Sequence, residues 1–153
     1  MLAVQMYDVV LWVHIVAVVV AFGGVFSYPV WFAVASRAAP TQRAFFHEAQ
    51  ARVGKTVISP GLLVILLAGA YMATDRDLWS EPWVTVPLVI LIVVGGLGGG
   101  YLGPREERLA ELARSGDVGP AYEAEFRRVR TVSYLLMALI VIAIYFMTAK
   151  PFA

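Results

Sequence analysis

Four long apolar segments constrain the fold of this chain more than any other feature. They run over residues 9–35, 57–73, 84–102 and 132–149, and each reaches the roughly 17 residues that a helix needs to cross the hydrocarbon core of a bilayer. Backbone polar groups find no water there, so such segments cross the membrane as helices. The sequence therefore predicts an all-α, polytopic membrane four-helix bundle, forming a single membrane domain over residues 1–153.

Composition narrows the possible partners and sites. The chain is 60% hydrophobic and 15% charged, and its net charge is +1, so no electrostatic argument favours a nucleic-acid partner. It contains no cysteine, which excludes disulfides, thiolate metal sites and covalent c-type haem attachment. Neither H-E-x-x-H nor G-x-S-x-G occurs, and the sequence predicts no catalytic residue.

Positive charge is concentrated between particular segments. Ten of the twelve Lys and Arg residues follow the first or the third segment: Arg37, Arg43, Arg52, Lys55, Arg105, Arg108, Arg114, Arg127, Arg128 and Arg130. The positive-inside rule makes those loops cytoplasmic, so both termini are predicted to lie outside. For a bacterial protein this corresponds to a multi-pass protein of the cytoplasmic (inner) membrane.

The longer basic loop, residues 104–130, is predicted to form a cytoplasmic helical hairpin. Pro104 and Pro120 suit helix starts, and glycines at 116 and 119 mark the turn between them. Glu123 and Arg127 have the i,i+4 spacing of a supportive ion pair. Mixed charge at helical spacing favours a solvated hairpin over a binding module.

Glycines are concentrated in the inner half of the third segment. They give small-xxx-small spacings that allow another backbone to approach closely: Gly95 with Gly99, Gly96 with Gly100, and Gly99 with Gly103. We expect close packing there, with Gly23 and Gly24 of the first segment as candidates for the same contact. The third segment is also a candidate surface for a homo-oligomer or a larger membrane complex.

His14 lies about five residues inside the first segment, and no other His, Lys, Arg, Asp or Glu lies so far inside any of the four segments. An ionisable group at that depth is by default a functional-site hypothesis, and imidazole commonly binds haem iron or a transition metal. At about 100° per residue, its helical face carries small apolar residues and two tyrosines, which suits the bundle interior. This face consists of Tyr7, Val10, Leu11, Ala17, Val18, Ala21, Val25 and Tyr28.

A second ligand to iron or metal would come from the outer half of another segment. Met72 or Tyr71 in the second segment and Met147 or Tyr145 in the fourth are the candidates, and a five-coordinate site is equally open. The alternative is a structural histidine, hydrogen-bonded to a tyrosine or a carbonyl.

The residues around His14, L-W-V-H-I-V-A-V-V-V-A-F-G-G, are followed by R-V-G-K-T-V-I-S-P-G and a closing Lys150-Pro151-Phe152. In this order the chain resembles the superfamily of small bacterial membrane proteins that includes the HemJ-type protoporphyrinogen oxidases and the CopD-like proteins. Within it, the chain looks like the integral membrane family called domain of unknown function 2269. The resemblance covers nearly the whole chain through short motifs.

The resemblance implies haem b as a cofactor, with His14 as its ligand and Lys55 as a further functional residue. The chain departs from the HemJ pattern in the third segment, which lacks both the Lys and the downstream His typical of that group. Haem binding in electron transfer or porphyrin redox chemistry is therefore the leading hypothesis, with cofactor residues His14, Lys55 and Met72. A non-enzymatic small subunit or assembly factor and a CopD-like metal-handling protein remain open. Lys55 could also be a positive anchor at the membrane interface.

Overall fold

The computed structural model describes residues 5–152, and this part of the chain is helical, with no strand. Seven α-helices follow one another: α1 Met6–Phe26, α2 Tyr28–Ala35, α3 Pro40–Val53, α4 Ser59–Asp75, α5 Pro82–Gly96, α6 Gly103–Arg114 and α7 Pro120–Ala149. Two π-helical segments each connect two of these helices into one continuous helix. The first π segment, Gly54–Ile58, connects α3 to α4, and the second, Leu97–Leu102, connects α5 to α6.

These elements form four stretches long and apolar enough to cross a membrane: Met6–Ala35, Pro40–Asp75, Pro82–Arg114 and Pro120–Ala149. The predicted all-α bundle of four membrane helices is confirmed. The stretches exceed the apolar segments because charged helices continue them. Residues 40–53, read from the sequence as part of a loop, form α3, which Pro40 begins at a position where its missing N–H costs no hydrogen bond.

Each π segment is followed directly by a proline in the next helix, Pro60 after the first and Pro104 after the second. Proline removes one backbone donor, and its ring clashes with the carbonyl four residues earlier. A wider π turn just before the ring relieves that clash without ending the helix. Such turns are rare and often lie at functional sites.

The helices pack mainly in three pairs: α1 with α4, α5 with α7, and α3 with α6. The α1–α4 contact is tight at Gly61, where a Cβ atom would lie 2.8 Å from the Cβ of Ala21. Any larger side chain there would force the two helices apart.

Most glycines of the third stretch do not make the close contact expected of them, and a Cβ at Gly95 would meet only the side chain of Leu62, at 3.8 Å. A Cβ built at Gly96, Gly98, Gly99 or Gly100 meets no other atom within 4 Å in the described chain. Gly24 faces Val53 and Ile58 instead of the third stretch, so the expected contact of Gly23 and Gly24 with the glycine run was wrong. The tight contacts are made instead by glycines of the second stretch, Gly61 against Ala21 and Gly69 against His14.

We call the end of the bundle that holds Tyr7, residues 75–83 and Lys150 the terminal end. The opposite end, which holds α3, α6 and the first turns of α7, is the basic end.

Candidate functional site

A cavity of about 550 Å³ opens at the terminal end between α1, α4, α5 and α7. This volume lies within the roughly 300–1,000 Å³ of small-molecule and cofactor sites. Its walls are largely apolar. The lining residues that could bind a metal ion or contact a polar or aromatic ligand are Tyr7, His14, Met72, Trp83, Met147 and Lys150. The predicted inward face of α1 is oriented accordingly, since Ala17, Ala21 and Val25 are buried.

The half-buried His14 ring makes one hydrogen bond, from Nδ1 to the carbonyl oxygen of Ile65 at 3.1 Å. A carbonyl only accepts hydrogen bonds, so Nδ1 carries the proton and Nε2 of the neutral ring keeps its lone pair. Metal-ligating histidines are commonly held in this way, with the second nitrogen donating to a backbone carbonyl. The same hydrogen bond is the one that the structural alternative for His14 requires.

The missing side chain at Gly69 leaves room for the imidazole of His14 to pack against α4. A Cβ atom at Gly69 would lie 3.4 Å from Cε1 and 3.7 Å from Nδ1 of His14. The absent side chain therefore lets the ring reach the carbonyl of Ile65, one turn earlier in the same helix. The position of His14 is thus set by α4 as well as by its own helix.

The two methionines proposed as second ligands both line the cavity with His14. Met72 is buried in α4, and Met147 is half-buried in the last turn of α7. Tyr71 and Tyr145 are 42% and 56% exposed and are not among the residues that line this cavity. The structure thus brings together His14, Met72 and Met147.

Two basic side chains stack on aromatic residues of the cavity. The Lys150 ammonium lies 4.5 Å from the centroid of Trp83, and the Arg76 guanidinium lies 4.4 Å from the centroid of Tyr7. Such cation–π contacts hold a positive charge over an aromatic face. An apolar cavity with cations at its edge suits a ligand that has an apolar body and an anionic group.

Lys55 lies elsewhere. It belongs to the first π segment and pairs with Glu107 through side chains that are 66% and 53% exposed. It lines a smaller cavity of about 190 Å³ at the basic end, between the two π segments. The fully buried Ile140 lines both cavities and forms part of the wall between them.

The basic end also holds a buried polar cluster that the sequence analysis missed. His47 is fully buried, with its Nδ1 2.5 Å from Oε2 of Glu106 and its Nε2 2.8 Å from the hydroxyl of Tyr122. Phe126 stacks on Tyr122 and meets the edge of His47. Both imidazole nitrogens are therefore occupied by side chains of α6 and α7.

The helical period of α6 contains a sign of this cluster. Its apolar residues Leu109, Ala110 and Ala113 form one stripe, and extending that stripe by one turn places Glu106 on the same buried face. The prediction of a solvated hairpin over residues 104–130 did not include a buried Glu106. Glu123 pairs with Arg43 of α3 at 2.9 Å rather than with Arg127.

Within residues 5–152, no group of three or more His, Cys, Asp or Glu side chains is placed to hold a metal ion. A metal at His14 would depend on thioether or cofactor ligands.

Four apolar, membrane-length helices define a polytopic integral membrane protein. Residues 8–151 match the family described as "Predicted integral membrane protein (DUF2269)", and the chain belongs to that family. This confirms the family expected from the sequence, while its relation to the HemJ-type and CopD-like proteins stays a prediction. No curated protein and no solved structure matches the chain.

Proposed function

We propose that this protein binds haem b in the terminal-end cavity through His14 and acts in electron transfer or porphyrin redox chemistry. The observation that carries the proposal is the hydrogen bond from His14 Nδ1 to the carbonyl of Ile65. It leaves Nε2 without a proton, so its lone pair can coordinate iron, and His14 lines a cavity of about 550 Å³. Bound haem would supply one-electron chemistry at its iron.

The residues around the cavity fit this group. Met72 and Met147 line the same cavity as His14, and thioether sulfur is a known axial ligand beside histidine. Lys150 and Arg76 would hold the anionic propionates at the terminal end, and the apolar walls would exclude water. We further propose that the basic end faces the cytoplasm of a bacterial cell, because ten of the twelve Lys and Arg residues lie near it.

An absorption spectrum of the full-length protein, expressed with ample haem and purified in detergent, tests the proposal. We expect a Soret band that His14→Ala reduces at least tenfold and that added imidazole restores, because free imidazole can occupy the emptied position. Met72→Leu and Met147→Leu identify a sixth ligand through a shift from a low-spin to a high-spin spectrum.

Colourless wild-type protein, or a His14→Ala variant with an unchanged Soret band, would overturn the proposal. Copper titration of the haem-free protein tests the metal-handling alternative. Tight copper binding that is lost in His14→Ala would support a copper site at His14 instead of a haem site. Soft ligands for Cu(I) are usually clustered.

A second candidate function is that of a small subunit in a homo-oligomer or a larger membrane complex. The observation that favours it is the open glycine face, since a Cβ atom at Gly96 or Gly100 would meet no atom of the described chain within 4 Å. Close-packing glycines draw helices together in membranes. Gly96→Leu and Gly100→Leu should dissociate such an assembly in size-exclusion chromatography with light scattering. A mass equal to one chain for the wild type would contradict it.

A further inference from the structure

The cavity at the basic end has a construction unlike that of the His14 cavity. It lies between the two π segments and has a volume of about 190 Å³. Its deeper wall is apolar, formed by Val25, Leu62, Val94, Leu136 and Ile140. Among these apolar residues stand three buried polar side chains, Gln50, Glu106 and Ser133.

Two of these polar groups have no hydrogen-bond partner within residues 5–152. Nε2 of Gln50 and Oγ of Ser133 bond to no atom of this part of the chain, although the residues are only 4% and 2% exposed. Leaving a buried donor unpaired costs about 1–3 kcal/mol, so such groups normally have a partner. Gln50 and Ser133 are both among the residues that line this cavity.

The cavity reaches the surface between the π segments. Gly99 and Lys55 on its lining are exposed, and Gly98 is half-buried. Glycine on the second π segment leaves this opening free, since a Cβ at Gly98 or Gly99 would meet nothing within 4 Å in the described chain. A molecule dissolved in the bilayer could therefore enter sideways, near the level of the charged helices.

The charges nearby select against an anion. Glu106 is bonded to His47 and is one of the lining residues. The charge of Lys55 is already paired with Glu107. The unpaired N–H of Gln50 favours a neutral oxygen acceptor, to which the hydroxyl of Ser133 can also donate, and the apolar wall favours an apolar body attached to that acceptor.

We propose that the basic-end cavity binds a lipid-soluble molecule whose carbonyl oxygens accept hydrogen bonds from Gln50 and Ser133. Two sources share this chemistry, the head group of an isoprenoid quinone and the ester carbonyls of a phospholipid. The volume of about 190 Å³ suits a single ring or an ester group. The site is separate from the His14 cavity and does not depend on haem.

The experiment uses full-length, delipidated protein in detergent. In one arm, a quinone with a single isoprene unit is titrated and binding is followed by equilibrium dialysis. In the other arm, dioleoylphosphatidylcholine is added and retained lipid is counted by native mass spectrometry. We expect saturable binding of one molecule in one of the two arms, and that arm identifies the source.

Ser133→Ala and Gln50→Leu should each weaken this binding about tenfold, because each removes one hydrogen bond to a buried group. Gly99→Leu should weaken it by narrowing the opening without removing a donor. Ser115→Ala, an exposed serine of the α6–α7 turn outside the cavity lining, should bind as the wild type does.

Thermal unfolding without ligand separates this role from a structural one. Ser133→Ala should unfold no earlier than the wild type, since the removed hydroxyl has no partner in the fold. A lowered unfolding temperature in Ser133→Ala, equal binding in all variants, or no saturable binding in either arm would overturn the proposal.

Discussion

The two histidines of this chain lie at opposite ends of the bundle and differ in what holds them. His14 bonds through Nδ1 to the backbone carbonyl of Ile65, on an apolar cavity of about 550 Å³. His47 is fully buried, and both its ring nitrogens bond to side chains, those of Glu106 and Tyr122. A histidine with one hydrogen-bonded ring nitrogen can still bind a ligand through the other, whereas a histidine with both nitrogens bonded serves to hold the fold together. His14 lies within a membrane segment and keeps one nitrogen unbonded. A search for candidate site residues by burial alone would have chosen His47 instead.

The largest expected effect is on the His47 cluster. Glu106→Ala leaves a buried imidazole without its carboxylate partner, and we expect the free energy of unfolding to fall by about 3–5 kcal/mol. Titration with sodium dodecyl sulfate, followed by circular dichroism of the full-length protein, measures this. The triple variant His47→Leu/Glu106→Leu/Tyr122→Phe should be more stable than Glu106→Ala because it removes the three hydrogen-bonded polar groups of the cluster together. A loss below about 1 kcal/mol for Glu106→Ala would show that His47 is not structural, and the comparison would fail.

A smaller effect is expected between the two ends, where α1 meets α4. In Gly61→Ala the added methyl group would lie 2.8 Å from Cβ of Ala21, and overpacking of this kind costs about 1–3 kcal/mol. Gly96→Ala is the matched control, since its methyl group enters open space. The same unfolding assay compares them. Equal stability of the two variants would mean that the α1–α4 contact yields easily and does not fix His14 against Ile65.

The sequence was sufficient to predict the architecture and to single out His14 as a candidate, because both depend on local patterns. Apolar length marks a membrane helix, and a lone histidine within one is visible by inspection. The His47 cluster depends on three helices distant in sequence, and nothing local to His47 indicates that Glu106 and Tyr122 face it. The glycine run shows the opposite failure. Its spacing is typical of packed helices, yet the close approach is made by Gly61, which has no such spacing.

The unpaired groups of the basic end were equally hidden from the sequence. Gln50 and Ser133 are ordinary residues in helices, and only the cavity between the π segments makes their unpaired state informative. Pro104 suited a helix start in the sequence, but proline does not specify whether the helix before it bends, breaks or widens, and the π segment that precedes Pro104 was not predicted.

The smallest expected effect concerns Lys55, the residue that the family resemblance and the fold place in different roles. Its ion pair with Glu107 is exposed, and exposed pairs contribute about 0–1 kcal/mol. Lys55→Ala should therefore change stability little. It should also leave the Soret band of a haem-loaded protein unchanged, because Lys55 lines the basic-end cavity rather than the one beside His14. Lys55→Gln, which keeps much of the side-chain length, is the control. Loss of the Soret band in Lys55→Ala but not in His14→Ala would reverse the comparison and move the haem site to the basic end.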